Sequence, residues 1–487
     1  MEDPILFWND VAMEVNRLDH TGGMEGEHQA GPTLSSRALA IVHLAMHDAY
    51  FGVRGMANIP GPAVPPKKLY LLAPPVPPPA DSDINRSAAV SGAAATALTQ
   101  LFSGQRSFIE AKVAELAGKN GTSDAAFSHG RKVAYAVLDA RKDDDKVTPK
   151  DDDYCASAGP LRHRKDPLNP GQPYLGVGYG KLKTFAVKTW QTLNPPPPRP
   201  SATYANHFAE VYGKGGDPSL KSTTRTPDET VIGYYWAYDG AMKIGTPPRL
   251  YNQVARVIAK SKNNTTDQNA RLFALIHCAM GDAGIHAWHY KYCYDLWRPV
   301  VGIREDDKSC GPAGVPDPVI TPPGDPFWKA LGAPHSNEAK VNFTPPFPAY
   351  PSGHATFGGA AFEVIRLFYK QQLNLPFTDA DADALEFSFV SDELNGVTTD
   401  PDGSVRTRHH RKYASLAQAM YDNSVSRIFL GVHWRFDGTT GGDVAEMLQA
   451  TDKIGGVPLG RAIAKDIFTS GLHQQAAPPT APTTGCV

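Results

Sequence analysis

Apolar residues recur at helical spacing along most of this chain. Between Pro4 and about Leu18, Ile5, Leu6, Trp8, Val11, Ala12 and Val15 fall on one helical face. Thr33-Leu34-Ser35-Ser36 has the hydroxyl-rich character of a helix start and leads into the almost wholly apolar Arg37–Ala49. A helix that is apolar all round belongs inside a helical domain. Further helices are expected at about Asn85–Leu101, Ser107–Ala117 and Asp124–Ala140. The stretch from about Pro60 to Pro79 reads as an extended, polyproline-like connection. Lys142–Arg199, rich in Gly, Pro and charge and closed by Pro195-Pro196-Pro197-Pro198, reads as irregular.

A second helical series begins near Asp228, with helices expected at Thr230–Lys243, Leu250–Ser261 and Thr266–Tyr290. Its segment Arg271–Ala283 repeats Arg37–Ala49: Arg, Ala, His, Ala, Met, Asp and Ala recur in register, 234 residues apart. A fainter echo sets Ser91-Gly92-Ala93 against Ser352-Gly353-His354. Apolar runs at Ala355–Tyr369 and Tyr413–Ile428 add two more helices, and no strand-like alternation of useful length is present. The fold class expected is all-α, two four-helix-bundle-like halves related by internal duplication. The first half spans 1–200 and the second 201–470, only the second having kept a site, and a tail at 471–487 is expected to be disordered.

Composition narrows the function classes. A formal net charge of −2 and a pI near 6.8 provide no global field for nucleic acid or an anionic membrane, so any anion site must be a local cluster. No apolar run approaches the ~20 residues needed to span a bilayer. Met1-Glu2-Asp3-Pro4 lacks the basic-then-apolar order of a signal peptide, so a soluble protein is expected, cytoplasmic or exported by a leaderless route. Cys155, Cys278, Cys293, Cys310 and Cys486 are scattered and form no CxxC pair, which argues against a zinc site or a disulfide framework.

Three clusters carry candidate chemistry. In Lys291–Pro299 the cations Lys291 and Arg298 lie seven residues apart, two turns of a helix, so both are expected on one face. In Pro351-Ser352-Gly353-His354 a hydroxyl, a glycine N–H and an imidazole open a helix, a setting suited to a tetrahedral oxyanion. In Ser426–Asp437, Arg427 and His433 follow an apolar helix. Each cluster alone is compatible with a capped helix or a solvated face. Together, three cations among Trp297, Phe357, Phe429 and Trp434 call for an anion that neutralises them.

The order Lys-x6-Arg-Pro, Pro-Ser-Gly-His and Ser-Arg-x3-Gly-x-His-x3-Asp resembles the signature shared by the vanadium-dependent haloperoxidases and the type 2 phosphatidic acid phosphatases. Tyr234–Ala241, Gly245–Arg249 and Pro345–Tyr350 extend the resemblance toward the fungal-type vanadium chloroperoxidases, which look like two four-helix bundles with the site in the second. The resemblance implies one vanadate per chain, vanadium(V), with no haem or flavin. His433 is then the single vanadium ligand, while Lys291, Arg298, Ser352, the Gly353 N–H and Arg427 bind the oxygens. His354 is implied to move the proton released when hydrogen peroxide enters, and Lys291 to polarise that peroxide for attack by halide. Asp239 resembles the partner of the Arg427 equivalent, and Asp437 is either an orienter of His433 or a turn cap. Phe347 and Trp288 resemble the aromatic halide pocket of the chloroperoxidases; bromide-preferring algal enzymes tend to have His at the position of Phe347. The expected partners are hydrogen peroxide, halide ions (chloride, also bromide and iodide) and small organic acceptors. The alternative is an acid phosphatase of the same superfamily, with His433 as nucleophile and His354 as the acid.

Overall fold

The computed structural model describes residues 1–22, 27–56, 64–71, 75–144, 154–157, 159–306, 324–472 and 475–479. Helices dominate. In chain order they are α1 (Pro4–Asp19), α2 (Gly31–Arg54), α3 (Asp83–Leu101), α4 (Arg106–Asn120), α5 (Asp124–Asp139), α6 (Ala202–Lys214), α7 (Pro227–Tyr235) and α8 (Pro247–Ser261). The second half continues with α9 (Thr266–Tyr294), α10 (Pro299–Glu305), α11 (Gly353–Leu373), α12 (Leu416–Phe429), α13 (Arg435–Gly438), α14 (Val444–Gln449) and α15 (Gly456–Ser470). Side-chain caps set many of the starts: Asp3 accepts from Ile5 and Leu6 N–H, and Thr265 with Gln268 closes a capping box on α9.

The long α9 runs through the centre, packed on α2 on one side and α11 on another. The repeated segments of α2 and α9 meet face to face. The His43 and His277 rings stack at 3.7 Å, and each segment ends in a buried aspartate that holds a loop by its amides. Asp48 accepts from Tyr70 and Leu71 N–H, while Asp282 accepts from Phe185, Ala186 and Val187 N–H. A second helix pair in each half packs in the same way, in a register the sequence echo misses. Gly92 of α3 lies against the Phe127 carbonyl and Gly359 of α11 against that of Val457; Gly130 and Gly460 lie likewise against the carbonyls of Ala89 and Thr356. Ala89 and Gly92 therefore match Thr356 and Gly359, an offset of 267 in both, and Ser91 stands inside α3, not at a helix start like Ser352.

Several expectations need correction. Lys291 and Arg298 do not share a helix: α9 ends at Tyr294, Asp295 turns left-handed at φ 51°, and Arg298 caps α10. The helix expected over Thr230–Lys243 stops at Tyr235, because Tyr238 and Gly240 take φ of 48° and 83°. α6 falls where irregular chain gave way to no expected element, although Tyr204, Ala205, Phe208 and Val211 form its buried stripe. A two-stranded antiparallel sheet, β1 (Phe387–Val390) with β2 (His410–Tyr413), interrupts the helical order. Cys293 is disulfide-bonded, a single bond that cysteine spacing left open. Past Gly471, Leu472 is buried, Gln475 Nε2 donates to Tyr70 Oη, and Ala476 exchanges backbone hydrogen bonds with Thr184 and Val187; residues 473–474 and 480–487 of the tail lie outside the described residues, as do 60–63 and 72–74 of the proline-rich connection. Among the described residues, no helix is long and apolar enough to cross a membrane.

Candidate active site

Four segments converge at the start of α11. Ser352 caps that helix, accepting from Ala355 N–H at 3.4 Å, and its own N–H donates to the Asp437 carbonyl at 2.7 Å. His354, one residue into the helix, is fixed from both ends. Its ring Nε2 lies 2.5 Å from the Ala237 carbonyl, and its own carbonyl accepts from Tyr251 Oη and Asn423 Nδ2. Because a carbonyl only accepts, Nε2 carries the hydrogen and Nδ1 is the basic nitrogen. Burial, then Arg427, lowers the His354 pKa to about 3, so the ring is a neutral base at ordinary pH.

His433 follows α12 through the tight turn at Gly431, whose φ is 71°. Its Nδ1 lies 2.8 Å from Asp437 Oδ2, and its Nε2 lies 2.9 Å from Arg298 Nη1. A guanidinium cannot accept, so Nε2 holds the lone pair and Nδ1–H donates to the carboxylate. The same Asp437 Oδ2 also accepts from Trp434 N–H at 3.0 Å, so both roles foreseen for Asp437 fall on one oxygen. Burial, then Arg298 and Lys291, holds the His433 pKa well below that of a free imidazole. Burial raises the Asp437 carboxyl to about 7 against the pull of Lys291 and Arg298.

The three cations are fully buried. Arg298 spends Nε on the Phe347 carbonyl (2.9 Å) and Nη1 on the Val432 carbonyl (2.7 Å). Arg427 forms a two-pronged pair with Asp239, at 3.0 and 2.7 Å. Among the described residues, Arg298 Nη2 and Arg427 Nε have no hydrogen-bond partner, a state they share with Arg141 Nη2, Arg271 Nε and Arg406 Nη2; of these arginines, Arg298 and Arg427 are the ones beside His433. Lys291 differs from expectation. Its Nζ donates to the carbonyls of Pro348 (2.9 Å), Ala349 (3.1 Å) and Pro351 (2.5 Å), which uses its three hydrogens. It anchors the segment that leads into α11, and burial followed by Arg298 lowers its pKa well below the usual lysine value.

Above these groups lies a cavity of about 510 Å³, open mouth included. Asp239, His354, Arg427 and His433 supply its polar lining, and the rest of its wall is largely apolar. Trp288 and Phe347 form part of that wall with centroids 4.8 Å apart, and Lys291 Nζ lies 5.5 and 5.1 Å from their ring centres. Sequence reasoning missed Leu175, Phe343 and the Gly31–Pro32 start of α2, all of which reach the cavity. Nothing in their local sequence separates them from loop residues. Only tertiary packing brings the first half of the chain to the site. Among the described residues there is no cluster of three or more His, Cys, Asp or Glu able to hold a metal cation; the polar groups gathered here are guanidinium and ammonium cations and two imidazoles, which suit an oxyanion.

The helical fold thus gathers three buried cations and two imidazoles, His354 and His433, near the start of α11. This chain belongs to the vanadium chloroperoxidase family: residues 2–173 match the vanadium chloroperoxidase N-terminal domain and residues 271–453 the second helical-bundle domain of the same proteins. It is 36% identical to the vanadium chloroperoxidase of Curvularia inaequalis, over 96% of this chain and 90% of that one. A bacterial vanadium-dependent iodoperoxidase shares the fold with a TM-score of 0.67 at 21% identity, covering 96% of each chain. The holo form of a bacterial vanadium-dependent chloroperoxidase does so at 0.59 and 14%, covering 90% of this chain and 93% of that one.

Proposed function

We propose that this chain is a vanadate-dependent haloperoxidase that uses hydrogen peroxide to oxidise chloride, and more readily bromide and iodide, to hypohalous acid, which halogenates small organic acceptors. Membership of the vanadium chloroperoxidase family supports the reaction class. The observation that carries the site is the pair of unpartnered, buried guanidinium N–H groups, Arg298 Nη2 and Arg427 Nε, beside a His433 whose Nε2 lone pair is fixed by its neighbours. These groups fit an oxyanion that also accepts a nitrogen ligand, as vanadate does. Bound there, vanadate supplies a fully oxidised Lewis acid that makes peroxide electrophilic toward halide.

The residues divide the work. His433 offers Nε2, held in the right tautomer by Asp437. Arg298 and Arg427 supply charge and N–H donors, and Ser352 and Gly353 supply a hydroxyl and an amide at the helix start. Asp239 keeps Arg427 in place. His354 takes up the proton that peroxide releases and returns it, a role its neutral ring suits. Lys291 anchors the Pro348–Pro351 segment beside the halide pocket, and would serve as a donor to the oxyanion only by exchanging one of its three carbonyl partners.

Chloride is the hardest of these halides to oxidise, and the dry Trp288–Phe347 wall beside Lys291 favours its approach without a full water shell. The test is halogenation of monochlorodimedone by purified protein with peroxide, with and without vanadate, in chloride and in bromide. The reading expects vanadate-dependent turnover with both halides. Hydrolysis of p-nitrophenyl phosphate without any vanadate-dependent halogenation supports the phosphatase alternative instead.

A further inference from the structure

We infer that the Leu175–Gly176 turn, contributed by the first half of the chain, sets halide selectivity by seating the Trp288 indole. The inference rests on the reading of Trp288 and Phe347 as the halide pocket. Trp288 lies on α9, one helical turn before Tyr292. Both side chains donate to the same acceptor, the Leu175 carbonyl, Trp288 Nε1 at 3.2 Å and Tyr292 Oη at 2.8 Å. Leu175 N–H in turn donates to the Pro346 carbonyl at 3.0 Å, next to Phe347. One residue, Leu175, therefore holds Trp288 through its carbonyl and the backbone next to Phe347 through its N–H.

Two glycines flank the indole. Gly176 has φ of 77°, and a Cβ there would stand 2.5 Å from Trp288 Nε1 and 2.7 Å from Cδ1. At the other end of the ring, a Cβ on Gly353 would lie 3.3 Å from Trp288 Cη2 and Cζ3. The indole spans the gap from the Leu175–Gly176 turn to the amide at the start of α11, so any push from Gly176 is passed toward the cradle. The Leu175 side chain fills the space beside Gly31, where a Cβ would meet its Cδ2 at 2.8 Å, and both residues line the cavity. A stiff polypeptide tie of this kind places a ring to within a fraction of an ångström, the tolerance that reactive geometry demands.

The experiment uses the holoenzyme and three single variants, with Gly176→Ala repeated in a Trp288→Phe background. Gly176→Ala forces the indole to move; Tyr292→Phe removes the second hydroxyl grip on Leu175 and leaves the turn intact, which covers failure of the first variant to fold. Phe347→His tests the underlying pocket reading. The ratio of kcat/KM for chloride to that for bromide is expected to fall about tenfold in Gly176→Ala and by a smaller factor in Tyr292→Phe, as for a reacting group misplaced by less than an ångström. Vanadate affinity, measured by titration of the apo protein, is expected to change far less than that ratio. The near-ultraviolet circular dichroism is expected to change on Gly176→Ala, and not when that substitution is made in a Trp288→Phe background. A wild-type halide ratio in both clamp variants, with Phe347→His shifting it, overturns the inference and leaves the pocket standing. A ratio unmoved by Phe347→His removes the pocket reading and the inference with it.

Discussion

His433 Nδ1 lies 2.8 Å from Asp437 Oδ2, and that oxygen also receives Trp434 N–H, so one carboxylate both starts α13 and fixes the imidazole tautomer. Asp437→Ala removes the two contacts together. Vanadate affinity is expected to fall about 10- to 100-fold, as for loss of a hydrogen-bonded partner behind a metal-ligating histidine. Titration of apo protein with vanadate measures it, and an unchanged affinity contradicts the role given to Asp437.

The Asp239–Arg427 pair makes a different prediction. Removing the carboxylate in Asp239→Ala leaves a buried guanidinium unpaired, at a cost of about 3–5 kcal/mol. Vanadate supplies the missing negative charge, so its addition is expected to raise the Tm of the variant more than that of the wild type. Thermal unfolding with and without vanadate reads both effects.

Phe347→His places a polar ring beside Lys291, now 5.1 Å from the Phe347 centroid. Chloride turnover is expected to fall more steeply than bromide turnover, because a wetter wall lets the smaller ion keep its hydration. Initial rates at saturating peroxide, halide by halide, check this.

Acid sensitivity follows from imidazoles locked in the neutral form. His43 donates to the Leu39 carbonyl and accepts from Asn9, and His286 donates to the Asp282 carbonyl and accepts from Gln191 N–H. Burial lowers both, and His354, from 6.5 to about 3. Between those values the unfolded chain binds more protons than the folded one, so stability rises with pH across that window and is lost as pH falls through it. Urea unfolding from pH 7 down to pH 4 is expected to show a steadily falling midpoint; a flat profile contradicts the assignment of neutral buried rings.

Much of this was legible in the sequence, because helical periodicity and side-chain caps are local. The Arg37–Ala49 repeat of Arg271–Ala283 survives as two helices stacked through His43 and His277. The three motifs meet in space, and Asp239 pairs with Arg427. What escaped depends on the path of the chain between elements. Lys291 and Arg298 come together across a left-handed residue at Asp295, not along a helix face, and the carbonyl partners of Lys291 belong to a segment about sixty residues away. The Ser91 echo misled because the glycines that set helix approach, Gly92 and Gly359, align in a different register. Leu175 acts through its carbonyl, which no side-chain pattern records.

The central claim is that His433 and the cations around it bind vanadate, and vanadate binding by apo wild type and by His433→Ala tests it most directly. The account predicts one vanadate per wild-type chain and near-complete loss of binding in the variant. Unchanged affinity and stoichiometry in His433→Ala contradict it.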